Sequence, residues 1–426
     1  MRLRILVLSA AAIALAAPTA GATGPAAPAA PGDALRPGTY RVVLQSPGGE
    51  LPFRLDLRRI GDAWVGYLVN GPERLKVDEI TVRSAHLEIK MPGYENRLSA
   101  DATAGGFAGE LVVDKLGGRD QHIPLRAQLG PTYRFFPPAP ADAAEPASVA
   151  GRWSVTFTGD DGDTDHAVGE FSQAGREVSG TFLTETGDHR FLAGEVHDGD
   201  LFLSTFDGAH VFLYRAKRSG DSLAGDFWSG SAYHERWTAR RDPHAVLADA
   251  YSLTRMNEGT TSFDFAFPDV SGRMVSSHDP QFQGKVMIVA LAGSWCPNCH
   301  DEAAFLAPVY RRYRGKGLEI VSLMFEHFGD PERAAAATTR FRERYGIEYT
   351  TLIAGISDKD DASKRLPMLN RVVAFPTLIF VDRRGRVRKI HTGFSGPATG
   401  SHYTQFADEF QNTLDELLAE PQRDGA

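Results

Sequence analysis

Cys296 and Cys299 are the only two cysteines in a chain of 426 residues, and they stand in the string Trp295-Cys296-Pro297-Asn298-Cys299-His300. A bridge closing so short a loop constrains the unfolded chain very little. The pair is therefore present for its reactivity and not as a structural staple. Cys-x-x-Cys is the spacing of a redox dithiol, and with the following His it is also the spacing of covalent haem attachment.

The elements around the motif decide between these chemistries. Val286 to Leu291 is a continuous apolar run, as a buried central strand requires. After the motif, Ala303, Leu306, Val309, Tyr310 and Tyr313 recur at helical spacing. Cys296 then falls at a helix N-terminus, where unpaired N–H groups and the positive end of the helix dipole favour a thiolate. Cys296 is the expected nucleophile. Cys299, one turn on, faces the same side and can close a disulfide or resolve a mixed one.

Further along, Leu318 to Phe325 predicts a strand, and Pro331 opens a helix with Ala334, Ala337, Phe341 and Tyr345 on one face. Leu378 to Val381 and Val387 to His391 flank the turn Asp382-Arg383-Arg384-Gly385 as a hairpin. Phe406, Phe410, Leu414 and Leu417 mark a closing helix. The predicted order is β-α-β-α-β-β-α.

The strand-then-Trp295-Cys296-x-x-Cys299 element, Glu302, Phe375-Pro376-Thr377 and Thr392-Gly393-Phe394-Ser395-Gly396 together carry a resemblance. The segment from about Thr261 to Glu420 resembles the TlpA/ResA-like branch of the thioredoxin superfamily, the extracytoplasmic thiol-disulfide reductases. The resemblance implies an α/β thioredoxin-like domain that uses no cofactor beyond the redox-active disulfide Cys296-Cys299. It implies Glu302 as the carboxylate that adjusts thiol protonation, and a cis Pro376 lying against the motif. Trp295, Pro297, Phe375 and Pro376 would shape the docking face for protein disulfide or thiol substrates, and an upstream electron donor would recharge the pair. Glu302 is also three residues from Cys299, a neighbouring position on a helix; the bland alternative is a carboxylate facing solvent. One departure is Ala290, at the strand position where thioredoxins proper keep a buried Asp.

Ahead of this domain the texture is all-β. Leu51, Phe53, Leu55 and Leu57 alternate with other residues, as do Leu87, Ile89 and Met91, between turn signals such as Asn70-Gly71 and Gly117-Gly118. Two β units are expected, sandwich or small barrel, at 38-135 and 149-241. They open alike, Gly38-Thr39-Tyr40-Arg41-Val42 against Gly151-Arg152-Trp153-Ser154-Val155, as a duplication would. Leu51-Pro52-Phe53, Tyr133-Arg134-Phe135 and Ser204-Thr205-Phe206-Asp207-Gly208 are similar to segments that precede such domains in longer members of the branch. A Pro-rich linker, 136-148, separates the units, and 242-260 is a connecting helix or linker to the thioredoxin-like domain, 261-421.

At the N-terminus, Arg2 and Arg4 precede an apolar run from Ile5 to Ala17 and small residues ending at Ala22, the pattern of a secretory signal peptide over 1-22. A flexible Ala/Pro/Gly-rich leader, 23-37, follows. Export to the periplasm is the expectation, with an uncleaved membrane anchor as the alternative; no later run is long enough to span a bilayer. The composition, 42% apolar and 23% charged, is that of a globular chain. A net charge of −8 with no basic stripe argues against nucleic acid as partner.

Three rival readings remain. A haem protein would need His300 as axial ligand and a large apolar pocket. A peroxiredoxin would need Thr where Gly293 stands. A binding or scaffold protein would place the function in the β units, with Trp64, Trp153, Trp228 and Trp237 lining a pocket instead of filling a core. His86, His166, His189, His197 and His210 lack metal-ligand spacing, Asp358-Lys359-Asp360-Asp361 suits a solvated helix start, and Arg383, Arg384, Arg386 and Arg388 suit an exposed hairpin.

Overall fold

The computed structural model describes residues 35–140 and 144–421, so the expected signal peptide, most of the leader and three residues of the linker lie outside the described residues. Alternating apolar residues in the first β unit give a nine-stranded antiparallel sheet that curls without closing. Its first strand, Gly38–Ser46, lies between the second, Gly49–Ile60, and the last, Gln121–Leu129. Tyr40, Val42 and Leu44 point inward with Phe53, Leu55 and Phe107.

The second unit repeats this plan, with Gly151–Gly159 between Thr164–Ala174 and Tyr233–Arg241. Here Thr164–Ala174 also pairs with Glu177–Thr184, which closes the sheet into a barrel. Trp153 and Trp237 fill its interior, so they are core and not pocket lining. The two units share a detail that strand patterning alone does not demand. The Tyr40 hydroxyl donates to the carbonyl of Arg36, four residues back, and the Trp153 indole donates to Val149, also four back. Phe206, Val211 and Leu213 of the barrel complete the core of the first unit, so neither is an independent bead.

In the C-terminal part the sheet order is Thr350–Ile356, Leu318–Glu326, Val286–Ala292, Thr377–Val381, Val387–Thr392. The first three strands are parallel, and Thr377–Val381 runs antiparallel to the central one. Val286–Ala292 is buried at every residue, which is why it is apolar throughout. The closing helix Ser401–Ala419 buries Phe406, Phe410, Leu414 and Leu417, with Phe305 of the helix Pro297–Tyr313 packed against the two phenylalanines. This is the thioredoxin-like arrangement, carried behind two β units.

The expected element order omitted the edge strand Thr350–Ile356 and the helix Lys359–Arg365 that follows it. Between 242 and 260 only Ala250–Leu253 is helical and Val246 is 80% exposed, so the connection is linker for most of its length. Arg383 departs from the exposed hairpin expected of it. It is buried and donates to the carbonyls of Gly284 and Leu418, which its long side chain reaches from the hairpin turn. Among the described residues no helix is long and apolar enough to cross a membrane.

Candidate active site

Cys296 is the N-cap of the helix Pro297–Tyr313, with extended backbone angles and Pro297 in the first helical position. Proline suits that position because its missing N–H would have no helical partner. The Cys296 sulfur takes the role usually filled by a Ser or Asp oxygen: it accepts from the Cys299 amide at 3.2 Å. The same thiol donates to the carbonyl of Phe375 at 3.3 Å. The Phe375–Pro376 peptide is cis, and the Pro376 carbonyl accepts from the Gly393 amide, tying that loop to the turn after Val387–Thr392.

Cys299 is 1% exposed, and burial first, then the hydrogen bond and charge of Cys296, push its thiol well above the ordinary range. Glu302 is 2% exposed, on the same face one turn on, and does not face solvent. Burial, reinforced by Cys296, pushes its carboxyl well above the usual carboxylate range, and its Oε1 has no hydrogen-bond partner. An unpartnered buried carboxyl beside a buried thiol is a costly arrangement unless a proton is shared or passed there.

A second buried carboxyl belongs to Glu326, at the end of Leu318–Glu326. It accepts from the Ser294 amide at 3.1 Å, the Ser294 hydroxyl at 2.6 Å and the Thr338 hydroxyl at 3.3 Å, which anchors the loop leading into Cys296. Burial pushes its carboxyl up to about 7. Trp295 is half-buried; its indole donates to the Phe325 carbonyl at 2.8 Å and its ring stacks on His327 at 4.8 Å.

His300 proves to be structural. Its Nε2 lies 2.7 Å from the Ser294 carbonyl, which can only accept, so Nε2 carries the proton and Nδ1 accepts from the Tyr345 hydroxyl at 2.8 Å. Burial holds the ring neutral, down to about 3, and Tyr94 of the first β unit lies against it with centroids 4.2 Å apart. Both nitrogens are committed, leaving neither to ligate a haem iron.

Cys296, Cys299, Glu302, Trp295, Pro297, Phe375 and Pro376 thus meet at one place. The β units meet them there, which sequence spacing did not reveal. Pro297, expected on an open docking face, is buried, and its carbonyl accepts from Arg190 of the barrel at 3.1 Å. Asn298 donates through Nδ2 to Asp188 at 3.3 Å. Arg190 is also paired with Glu73 at 2.7 Å, Asp207 at 3.3 Å and Asp301 at 3.2 Å. Burial pushes the Asp301 carboxyl up to about 7 against the pull of Arg190. Asp207 stays well below the usual range because His210 and Arg190 outweigh its burial.

The Redoxin family model matches residues 257–405. Over 142 residues the chain is 30% identical to the thiol-disulfide oxidoreductase ResA of Geobacillus thermodenitrificans, covering 33% of this chain and 72% of that protein. It is 25% identical over 150 residues to ResA of Bacillus subtilis, covering 35% and 74% respectively. Among solved structures, a putative thiol:disulfide interchange protein DsbE from Chlorobium tepidum is 22% identical over 39% of this chain and 100% of its own, with a TM-score of 0.30.

Proposed function

Because this chain belongs to the ResA-like thiol-disulfide oxidoreductases, we propose that it reduces disulfides of protein substrates outside the cytoplasm through Cys296 and Cys299. The Cys296 thiolate attacks one sulfur of the substrate disulfide, forming a mixed disulfide and releasing the other sulfur as a thiolate. Glu302, in its ionised form, takes the Cys299 proton, and the Cys299 thiolate attacks the Cys296 sulfur, breaking the mixed disulfide and releasing the second substrate sulfur as a thiolate. The products are the Cys296–Cys299 disulfide and a substrate dithiol that has gained two electrons and two protons. An upstream dithiol donor restores the pair.

The observation that carries this reading is the Cys299 amide on the Cys296 sulfur at the helix start, with buried Glu302 one turn behind. The amide stabilises charge where the nucleophile forms it, and the carboxyl is placed to accept the second proton. Reduction, as opposed to oxidation, is supported by the resemblance; a measured potential near or above about −120 mV would assign an oxidant instead. Export is supported by the pattern of residues 1-22. Cys299→Ser, expressed in the native compartment, should accumulate mixed disulfides with protein partners. Absence of any trapped protein while Cys296 still reacts with alkylating reagents would overturn the reading.

A further inference from the structure

Attack on a disulfide requires the nucleophilic sulfur to come into line with the S–S bond, yet Cys296 is only 4% exposed. The two residues between the cysteines, Pro297 and Asn298, are covered from outside the thioredoxin-like domain. The segment Glu185–Arg190 of the barrel crosses the motif: Gly187 packs so close to Asn298 that a Cβ there would lie 2.2 Å from Asn298 Oδ1. Gly393 abuts the same segment, its own hypothetical Cβ 3.1 Å from the Glu185 carbonyl oxygen.

The segment is fastened, not merely adjacent. Asp188 accepts from Asn298, from the Gly396 amide at 2.7 Å and from the Arg190 amide at 2.7 Å. That last contact supports Arg190 in a left-handed backbone conformation with φ 53°, rare for a residue with a side chain. The guanidinium then joins carboxylates of both β units and of the active-site helix to the Pro297 carbonyl. Both residues between the cysteines are held by the barrel.

A cleft lies beside the motif. Trp295 and Pro297, the neighbours of Cys296, line this cleft of about 680 Å³ whose far wall is formed by the β units, with Lys115, His210 and Phe212 among its residues. Pockets of roughly 300–1,000 Å³ hold ligands of small-molecule size. This one takes a few residues of extended chain and no folded domain.

We propose that Arg190 is a specificity-determining residue of the disulfide exchange: by pinning Glu185–Arg190 over the motif, it restricts Cys296 to disulfides on an extended polypeptide segment entering beside Trp295. Disulfides on a folded surface are disfavoured. This rests on the thiol-disulfide reading above and specifies its substrate class.

The test compares kcat/KM of the reduced full-length protein for a short disulfide-bonded peptide and for the same disulfide in a folded protein. Wild type should prefer the peptide at least tenfold, and Arg190→Gln and Asp188→Asn should cut that preference threefold or more by raising the folded-protein rate. Equal rates in wild type, or an unchanged preference in a natively folded variant, overturn the proposal. Should the variants fail to fold, a Cys299→Ser protein with native Arg190 decides. A polyethylene-glycol maleimide should label its Cys296 at least tenfold more slowly than N-ethylmaleimide, each normalised to its rate with free cysteine, and equal normalised rates overturn the proposal. If neither disulfide is reduced while N-ethylmaleimide still labels Cys296, the exchange reading itself falls and this proposal with it.

Discussion

Cys299 and Glu302 share one buried face of the active-site helix, and burial raises the proton affinity of both. Neither ionises readily by itself, so the resolving thiol depends on a neighbour that can take its proton within the same dry pocket. Glu302→Gln keeps the shape and removes the base. General-base catalysis typically contributes about 10²- to 10⁴-fold, so the decay of the mixed disulfide should slow at least about a hundredfold while its formation is little changed. In wild type the decay should speed up with pH as Glu302 loses its proton, and the variant should lose that limb. Stopped-flow measurement of both steps across pH checks this; equal slowing of both would show that Glu302 supports only the fold.

Glu326 gives a stability signature of the opposite kind from an ion-paired carboxylate. Its folded carboxyl titrates at about 7 against an ordinary value of 4.5, so the native state holds a proton that the unfolded chain has released between those two pH values. The contribution of Glu326 to stability therefore falls as pH rises from 4.5 to about 7 and levels off above. The full contribution is on the order of 3 kcal/mol. Glu326→Gln, which can still accept from Ser294, should be stabilised relative to wild type as pH rises through that window. Urea unfolding of both proteins at several pH values reads the difference, and parallel curves would refute the assignment.

How much of this could be read from the chain alone follows from the range of the interactions. The apolar run Val286 to Leu291, the motif and the helical period after it are local, and they place Cys296, Cys299 and Glu302 correctly on one helix start. Thr350–Ile356 escaped notice because an edge strand with threonines and a glycine lacks the apolar run of a central one. Glu326 falls just past the predicted strand Leu318 to Phe325, and only tertiary packing turns it beneath Ser294. Asp188 and Arg190 lie more than 100 residues from the Asn298 and Pro297 they hold, inside a segment with ordinary turn composition. No spacing within the chain announces such a contact.

His300 is committed to the fold on three sides, by Ser294, Tyr345 and Tyr94. His300→Ala should leave the Tyr345 hydroxyl and the Ser294 carbonyl without partners and open a cavity, for a loss of about 2–4 kcal/mol. Denaturant unfolding measures the loss. The protein made alongside c-type haem maturation machinery should show no Soret band, and a covalently attached haem would contradict the structural role of His300.

Gly187 offers a steric way to lift the barrel segment without touching any charge. Its φ of 149° disfavours a side chain, and an added Cβ would press on Asn298, which is itself buried and held by Asp188. Asn298 is too short to fold away, so the strain falls on the contact between segment and helix, at a cost of about 1–3 kcal/mol. That contact is one of several holding the barrel against the thioredoxin-like domain, so Gly187→Ala should fold and displace the segment locally. Alkylation of Cys296 by N-ethylmaleimide in a Cys299→Ser background should then accelerate severalfold, while thermal unfolding shifts only modestly. An unchanged alkylation rate would mean that Cys296 is shielded by its own domain and that the barrel segment over it is incidental.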